Sequence, residues 1–71
     1  MTRSAVLNCL EVCERHIEQC ERDLAQQREL IGALKRDGHR TLEAVTVLER
    51  IELALYASSA ERERLLRAPK E

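Results

Sequence analysis

A continuous heptad stripe runs through the first half of the chain and constrains its fold more than any other feature. Its members alternate steps of four and three residues without a break: Val6, Leu10, Cys13, Ile17, Cys20, Leu24, Gln27, Ile31 and Leu34. Eight of these nine positions are apolar or cysteine. Such spacing is typical of a long helix that lays one narrow stripe against another helix. We therefore predict a helix from about Ala5 to Arg36, with Ser4 or alternatively Thr2 as its N-cap.

One turn signal, at residues 37–41, separates this helix from a second one at about Leu42 to Leu66. Gly38 suits the left-handed residue that closes a helix, and Thr41 suits the next N-cap. The second heptad stripe consists of Ala44, Leu48, Ile51, Leu55, Ser58, Arg62 and Leu65. A connection this short joins antiparallel neighbours. The prediction is a single all-α domain, a coiled-coil-like two-helix antiparallel hairpin with a frayed tail at 67–71. A capping box from Ser58 to Glu61 would instead break the second helix.

The size of the chain and the width of its second helix predict self-association. A chain of 71 residues rarely gains more than about 3–5 kcal/mol from one core. Apolar residues beside the second stripe make that helix wide enough to touch two neighbours: Val45, Val47, Leu53 and Ala54. We expect a homodimer that forms an antiparallel four-helix bundle, or alternatively a larger protein partner docked on helix 2. The expected interface residues are Leu10, Cys13, Ile17, Cys20, Leu24, Ile31, Leu48, Ile51 and Leu55.

Pairing the two stripes outward from the turn predicts which residues meet. The expected pairs are Leu34 with Ala44, Ile31 with Leu48, Gln27 with Ile51, Leu24 with Leu55, Cys20 with Ser58, Ile17 with Arg62, and Cys13 with Leu65. Gln27 is then either a buried amide that fixes the helix register or a surface residue. The methylenes of Arg62 would cover the stripe while its charge reaches Glu14, Glu21 or water. Alternatively, that charge lowers the pKa of the Cys20 thiol.

Cysteine and histidine side chains gather on one side of helix 1 in a C-x3-C-x2-H-x3-C pattern formed by Cys9, Cys13, His16 and Cys20. Thiolate and imidazole groups are ligands for Zn or Cu(I). Because four ligands spread over about 16 Å of one helix cannot surround a single ion, a full site needs a second chain. Packing offers another interpretation, in which Cys13 and Cys20 are small core residues. A thiol redox switch is the third interpretation of these residues. We expect no cofactor.

Composition and charge exclude several classes of protein. The net charge is −1 and the charges are interspersed. The chain therefore lacks the basic stripe that is typical of proteins that bind nucleic acid. No segment approaches the ~20 consecutive apolar residues of a membrane span, and no signal peptide is evident. Three cysteines without an export signal favour reduced thiols in the cytoplasm.

Catalysis is not expected from this sequence. It contains no nucleophile–base–acid set or phosphate-binding glycine loop, and two helices enclose little water-free space. Dimeric helical hairpins also serve in histidine phosphotransfer, so a phosphotransfer-like hairpin using His16 is a lesser alternative. The residues after His16 do not match the histidine-kinase pattern, which has an acid directly after the histidine and a proline further on.

The assembled pattern resembles a group of short uncharacterised bacterial helical-hairpin proteins of unknown function. The residues that carry the resemblance are His16, Ile17, Gln27, Ile31, Leu34, Gly38, Thr41, Ala44, Leu48 and Arg64. The resemblance spans about residues 14–67 and implies a helical hairpin in a bacterial cytoplasm, without implying any chemistry. The sequence therefore predicts a small non-catalytic interaction or regulatory module. The alternative function is a Zn, Cu(I) or redox sensor that uses the cysteine- and histidine-bearing face.

Overall fold

Two helices form an antiparallel hairpin in the computed structural model, which describes residues 2–67. Helix α1 spans Arg3–Arg36 and helix α2 spans Leu42–Leu66, joined by residues 37–41. The predicted all-α hairpin is confirmed. Helix α2 continues without interruption through Ser58 and Ser59, so the expected alternative of a break at this point is wrong. Of the predicted tail, Arg67 forms the C-cap of α2 and residues 68–71 lie outside the described part of the chain.

Helix α1 begins two residues earlier than Ala5 because Thr2, rather than Ser4, is its N-cap. The Thr2 backbone is extended, and its Oγ1 accepts a hydrogen bond from the Ala5 backbone N–H at 3.2 Å. This bond satisfies one of the free N–H groups of the first turn. Ser4 lies within the helix instead.

The end of α1 is closed by a pair of backbone hydrogen bonds around Gly38. The His39 N–H donates to the Leu34 carbonyl at 2.9 Å, and the Gly38 N–H donates to the Lys35 carbonyl at 3.1 Å. Both bonds require the left-handed conformation of Gly38, whose φ is 75°. The predicted role of Gly38 is confirmed. Thr41 precedes α2 as expected but makes no side-chain capping bond.

Two hydrogen bonds between the helices join residues other than the expected pairs. Gln27 Nε2 donates to the Ala44 carbonyl at 2.9 Å, and the Cys13 thiol donates to the Ser58 carbonyl at 3.1 Å. In both cases the α2 residue lies seven positions nearer the turn than predicted, since Ile51 and Leu65 were the expected partners. The His16–Ser58 bond lies four positions along α1 from the expected partner of Ser58, Cys20. Expected pairs also line common grooves, Ile17 with Arg62 in one and Cys13 with Leu65 in the other.

The core between the helices is narrow and incompletely covered. Its buried apolar side chains are Cys13, Cys20, Leu24, Ile31, Ala44 and Leu65, joined by the polar Ser58. Among the described residues no large side chain is fully enclosed. The Cα atoms occupy 57 × 14 × 12 Å with a radius of gyration of 16.4 Å, whereas a globular chain of this length has a radius of about 11 Å. The hairpin is thus a thin rod.

Candidate functional site

A small polar cluster joins the two helices near the end of the rod that lies away from the turn. We call Cys13, His16, Cys20 and Ser58 the Ser58 cluster. The Ser58 carbonyl accepts the Cys13 thiol at 3.1 Å, and the Ser58 Oγ lies 2.6 Å from His16 Nδ1. His16 Nε2 in turn lies 3.9 Å from the Cys20 sulfur. Ser58 therefore makes polar contacts with both a thiol and the imidazole of α1.

Helix geometry explains why these four side chains meet. Cys13 and Cys20 occupy stripe positions seven residues apart, so both are buried against α2. His16 lies between them at the edge of the same face, where its ring remains exposed. Ser58 is a stripe residue of α2 and is buried because its hydroxyl finds a partner in His16. A buried hydroxyl without a partner would be costly.

The Ser58 cluster satisfies polar groups at the contact between the helices. Within residues 2–67 no three His, Cys, Asp or Glu side chains are arranged to hold a metal ion. All three cysteines are free thiols. Cys9 and Cys13, four residues apart on a helix, have Cβ atoms about 5–6 Å apart. A disulfide needs about 3.5–4.5 Å between Cβ atoms, so an intact α1 disfavours that bond.

The surroundings of Ser58 lack the backbone N–H donors that acyl transfer requires. Its Oγ is close to a histidine, as a nucleophile would be. However, Ser58 lies well inside α2, where the neighbouring backbone N–H groups are already used by the helix. The site therefore offers no backbone oxyanion hole.

Two open grooves flank the contact between the helices. The first, here the acid–base groove, has acidic residues on its α1 rim and arginines on its α2 rim. Its lining residues include Glu14, Ile17, Glu18, Glu21, Tyr56, Arg62 and Arg67. The second, here the thiol groove, is lined in part by Cys9, Val12, Cys13, His16, Ser58 and Leu65. At about 100° per residue, the two sets of α1 residues lie on opposite sides of that helix.

The structure places the predicted interface residues unevenly. Four of them, all from α1, are buried: Cys13, Cys20, Leu24 and Ile31. The other five are only half-buried: Leu10, Ile17, Leu48, Ile51 and Leu55. The most enclosed residues of α2 are instead Ala44, Ser58 and Leu65. In a hairpin each helix has one neighbour, so large side chains at the edges of the stripe stay partly in water.

Three further candidate residues, Gln27, Cys9 and Arg62, lie outside the Ser58 cluster. Gln27 is half-buried and reaches the start of α2 through its bond to Ala44, which favours its interpretation as a residue that fixes register. Of the metal-ligand candidates, Cys9 is exposed and belongs to the thiol groove rather than to the Ser58 cluster. Arg62 is half-buried on the rim of the acid–base groove, where Glu14 and Glu21 also lie.

Sequence reasoning missed the role of Ser58 as the centre of this cluster. Its partners are 45 and 42 residues away in the chain, and the expected register paired it with Cys20 alone. A useful signal was present, because a serine at a stripe position needs a hydrogen-bond partner from the facing helix.

The comparisons with known proteins identify no relative: no family model, curated protein or solved structure matches this chain. The resemblance to short bacterial hairpin proteins therefore stays a prediction. Among the described residues, neither helix is long and apolar enough to cross a membrane.

Proposed function

We propose that this protein is a small non-catalytic interaction module that acts by self-association, with two hairpins forming one antiparallel four-helix bundle. The observation that carries the proposal is the half-buried state of the large stripe residues. Leu10, Ile17, Leu48, Ile51 and Leu55 all remain partly in water in the single hairpin. A second hairpin laid against them would remove this apolar surface from water, which is the main driving force of association.

The surface area of the chain supports the same proposal. The hairpin exposes 5732 Å², whereas a folded monomer of 8.2 kDa exposes about 4,500 Å². The excess of about 1,200 Å² is more than the roughly 800 Å² that each partner buries in a standard protein interface. A standard interface with one additional hairpin would therefore remove about two thirds of this excess.

Measurement of the molar mass in solution tests this proposal. We expect light scattering at micromolar concentration to give about twice the mass of 8.2 kDa. A fully helical monomer would contradict self-association. Co-purification of a different protein from the native host, with no homodimer, would instead favour a larger partner. We propose the cytoplasm as the setting, supported by the three free thiols.

A thiol-based sensor is the second candidate function, and one contact favours it. Cys20 lies 3.9 Å from His16 Nε2, so the pair could respond together to a metal or an oxidant. Titration of the reduced protein with Zn²⁺ or Cu(I) tests this candidate, with a variant that replaces all three cysteines by alanine as its control. Absence of binding, with unchanged stability of that variant, would eliminate it.

A further inference from the structure

The acid–base groove carries opposite charges on its two rims, and this pattern specifies what can cover it. Its α1 rim presents Glu14, Glu18 and Glu21. Its α2 rim presents three arginines, Arg62, Arg64 and Arg67, together with Glu63. The half-buried Ile17 lies in the groove. Tyr56 lies on its α2 side and is 76% exposed. The groove therefore combines an apolar floor with one negative and one positive edge.

The two rims do not neutralise each other within one hairpin. Within residues 2–67 the ion pairs join residues of the same helix: Arg15 with Glu11, Arg64 with Glu61, and Arg67 with Glu63. None of the rim glutamates of α1 takes part in these pairs. Among residues 2–67 the three α1 glutamates and Arg62 make none of these ion pairs, whereas Arg64 and Arg67 are paired with glutamates of their own segment. The acidic rim and Arg62 can therefore face a partner that presents the opposite order.

We propose that the acid–base groove is the homodimer interface, and that a second copy packs on it with its turn at the same end of the bundle. This inference rests on the proposed self-association and names the surface and orientation that it uses. A two-fold axis parallel to the helices places α1 of one copy against α2 of the other at equal height. Each acidic α1 rim then faces the basic α2 rim of its partner, and neighbouring helices run antiparallel.

The charge pattern distinguishes this orientation from the other face-to-face arrangement. A two-fold axis perpendicular to the helices would set α1 against α1 of the partner, with the turns at opposite ends. The acidic rim would then face another α1 rather than the arginines. Like-charge contacts across an interface are costly, whereas complementary charges fix its register. The thiol groove offers no comparable pair of rims, since its α1 residues carry no acidic group.

Complementary charge reversal tests the proposal. The acid-reversed variant is Glu14→Arg with Glu21→Arg, and the arginine-reversed variant is Arg62→Glu with Arg67→Glu. Each variant alone places like charges on both rims, so its dimer dissociation constant should rise by more than about tenfold. A mixture of the two restores opposite charges on both sides. We expect heterodimers in the mixture, measured by native mass spectrometry or sedimentation.

Matched controls separate this inference from the proposed function. Glu11→Arg with Glu29→Arg makes the same change on exposed α1 positions outside the groove and should leave the dimer intact. Leu53→Lys alters an exposed residue of α2 that does not line the groove and should also leave it intact. Loss of the dimer in the Leu53 variant would assign the interface to the outer face of α2 and overturn the groove proposal.

Each further outcome also decides the question. If both charge-reversed variants remain dimers, the groove is not the interface, although self-association stands. If they are monomers that do not recover on mixing, the proposed orientation is wrong. Should a variant fail to fold alone, recovery of its helical circular dichroism on mixing supports the proposal. The wild-type dimer should weaken as salt increases, and a dimer insensitive to salt would contradict it.

Discussion

At the scale of single residues, Ser58 forms hydrogen bonds to α1, whereas its neighbour Ser59 is exposed. Ser58 places its hydroxyl 2.6 Å from His16 Nδ1 and its carbonyl 3.1 Å from the Cys13 sulfur. Both serines lie inside α2, so the two residues have the same intrinsic helix propensity. The pair therefore compares the contact between the helices with a serine that lines the acid–base groove.

We expect Ser58→Ala to lower the free energy of unfolding by about 0.5–1.5 kcal/mol relative to Ser59→Ala. Both changes introduce the same better helix former, so the gain in propensity cancels in the comparison. Urea unfolding followed by circular dichroism at a fixed protein concentration measures the difference. Equal stability of the two variants would show that the His16 contact contributes nothing.

At the scale of the helices, the two glycines differ in backbone conformation. Gly38 has a φ of 75°, which an L side chain adopts only with strain. Gly32 lies inside α1, and a Cβ added there would meet only the Arg36 Nη1 atom, at 3.5 Å. That atom belongs to a flexible side chain and can move. Substitution of the two glycines should therefore have opposite effects.

Gly38→Ala should destabilise the hairpin by about 1–2 kcal/mol, whereas Gly32→Ala should stabilise it by about 0.5–1 kcal/mol. Thermal unfolding of both variants under the same conditions checks the signs. A stabilising effect of Gly38→Ala would be inconsistent with the capping bonds around Leu34 and His39.

The helices and their connection could be predicted from the sequence because their signals are local. The apolar stripe, Gly38 and the absence of other turn formers mark where each helix begins and ends. The individual hydrogen bonds between the helices could not be predicted, because a heptad stripe identifies the facing surfaces and not the atoms that meet across them. The Ser58 cluster and the Gln27–Ala44 bond join residues far apart in the chain, so local signals do not reveal them.

At the scale of the whole molecule, the stability of the fold should depend on protein concentration. If two hairpins complete one bundle, unfolding also separates them, and mass action favours the folded dimer at higher concentration. We expect the midpoint of thermal unfolding to rise by about 3–6 °C for each tenfold increase in concentration. A midpoint that does not change with concentration would show that the hairpin folds alone.

The antiparallel path of the chain also determines how the hairpin responds to force. Thr2 and Arg67 lie at the same end of a rod whose turn is at the other end, along its 57 Å dimension. Tension applied between these two residues peels α1 from α2 and loads the contacts in succession instead of together. The bonds of Ser58 to Cys13 and His16 carry the load before the bond from Gln27 to Ala44. The two helices therefore separate progressively towards the turn, and the end that carries the Ser58 cluster separates first.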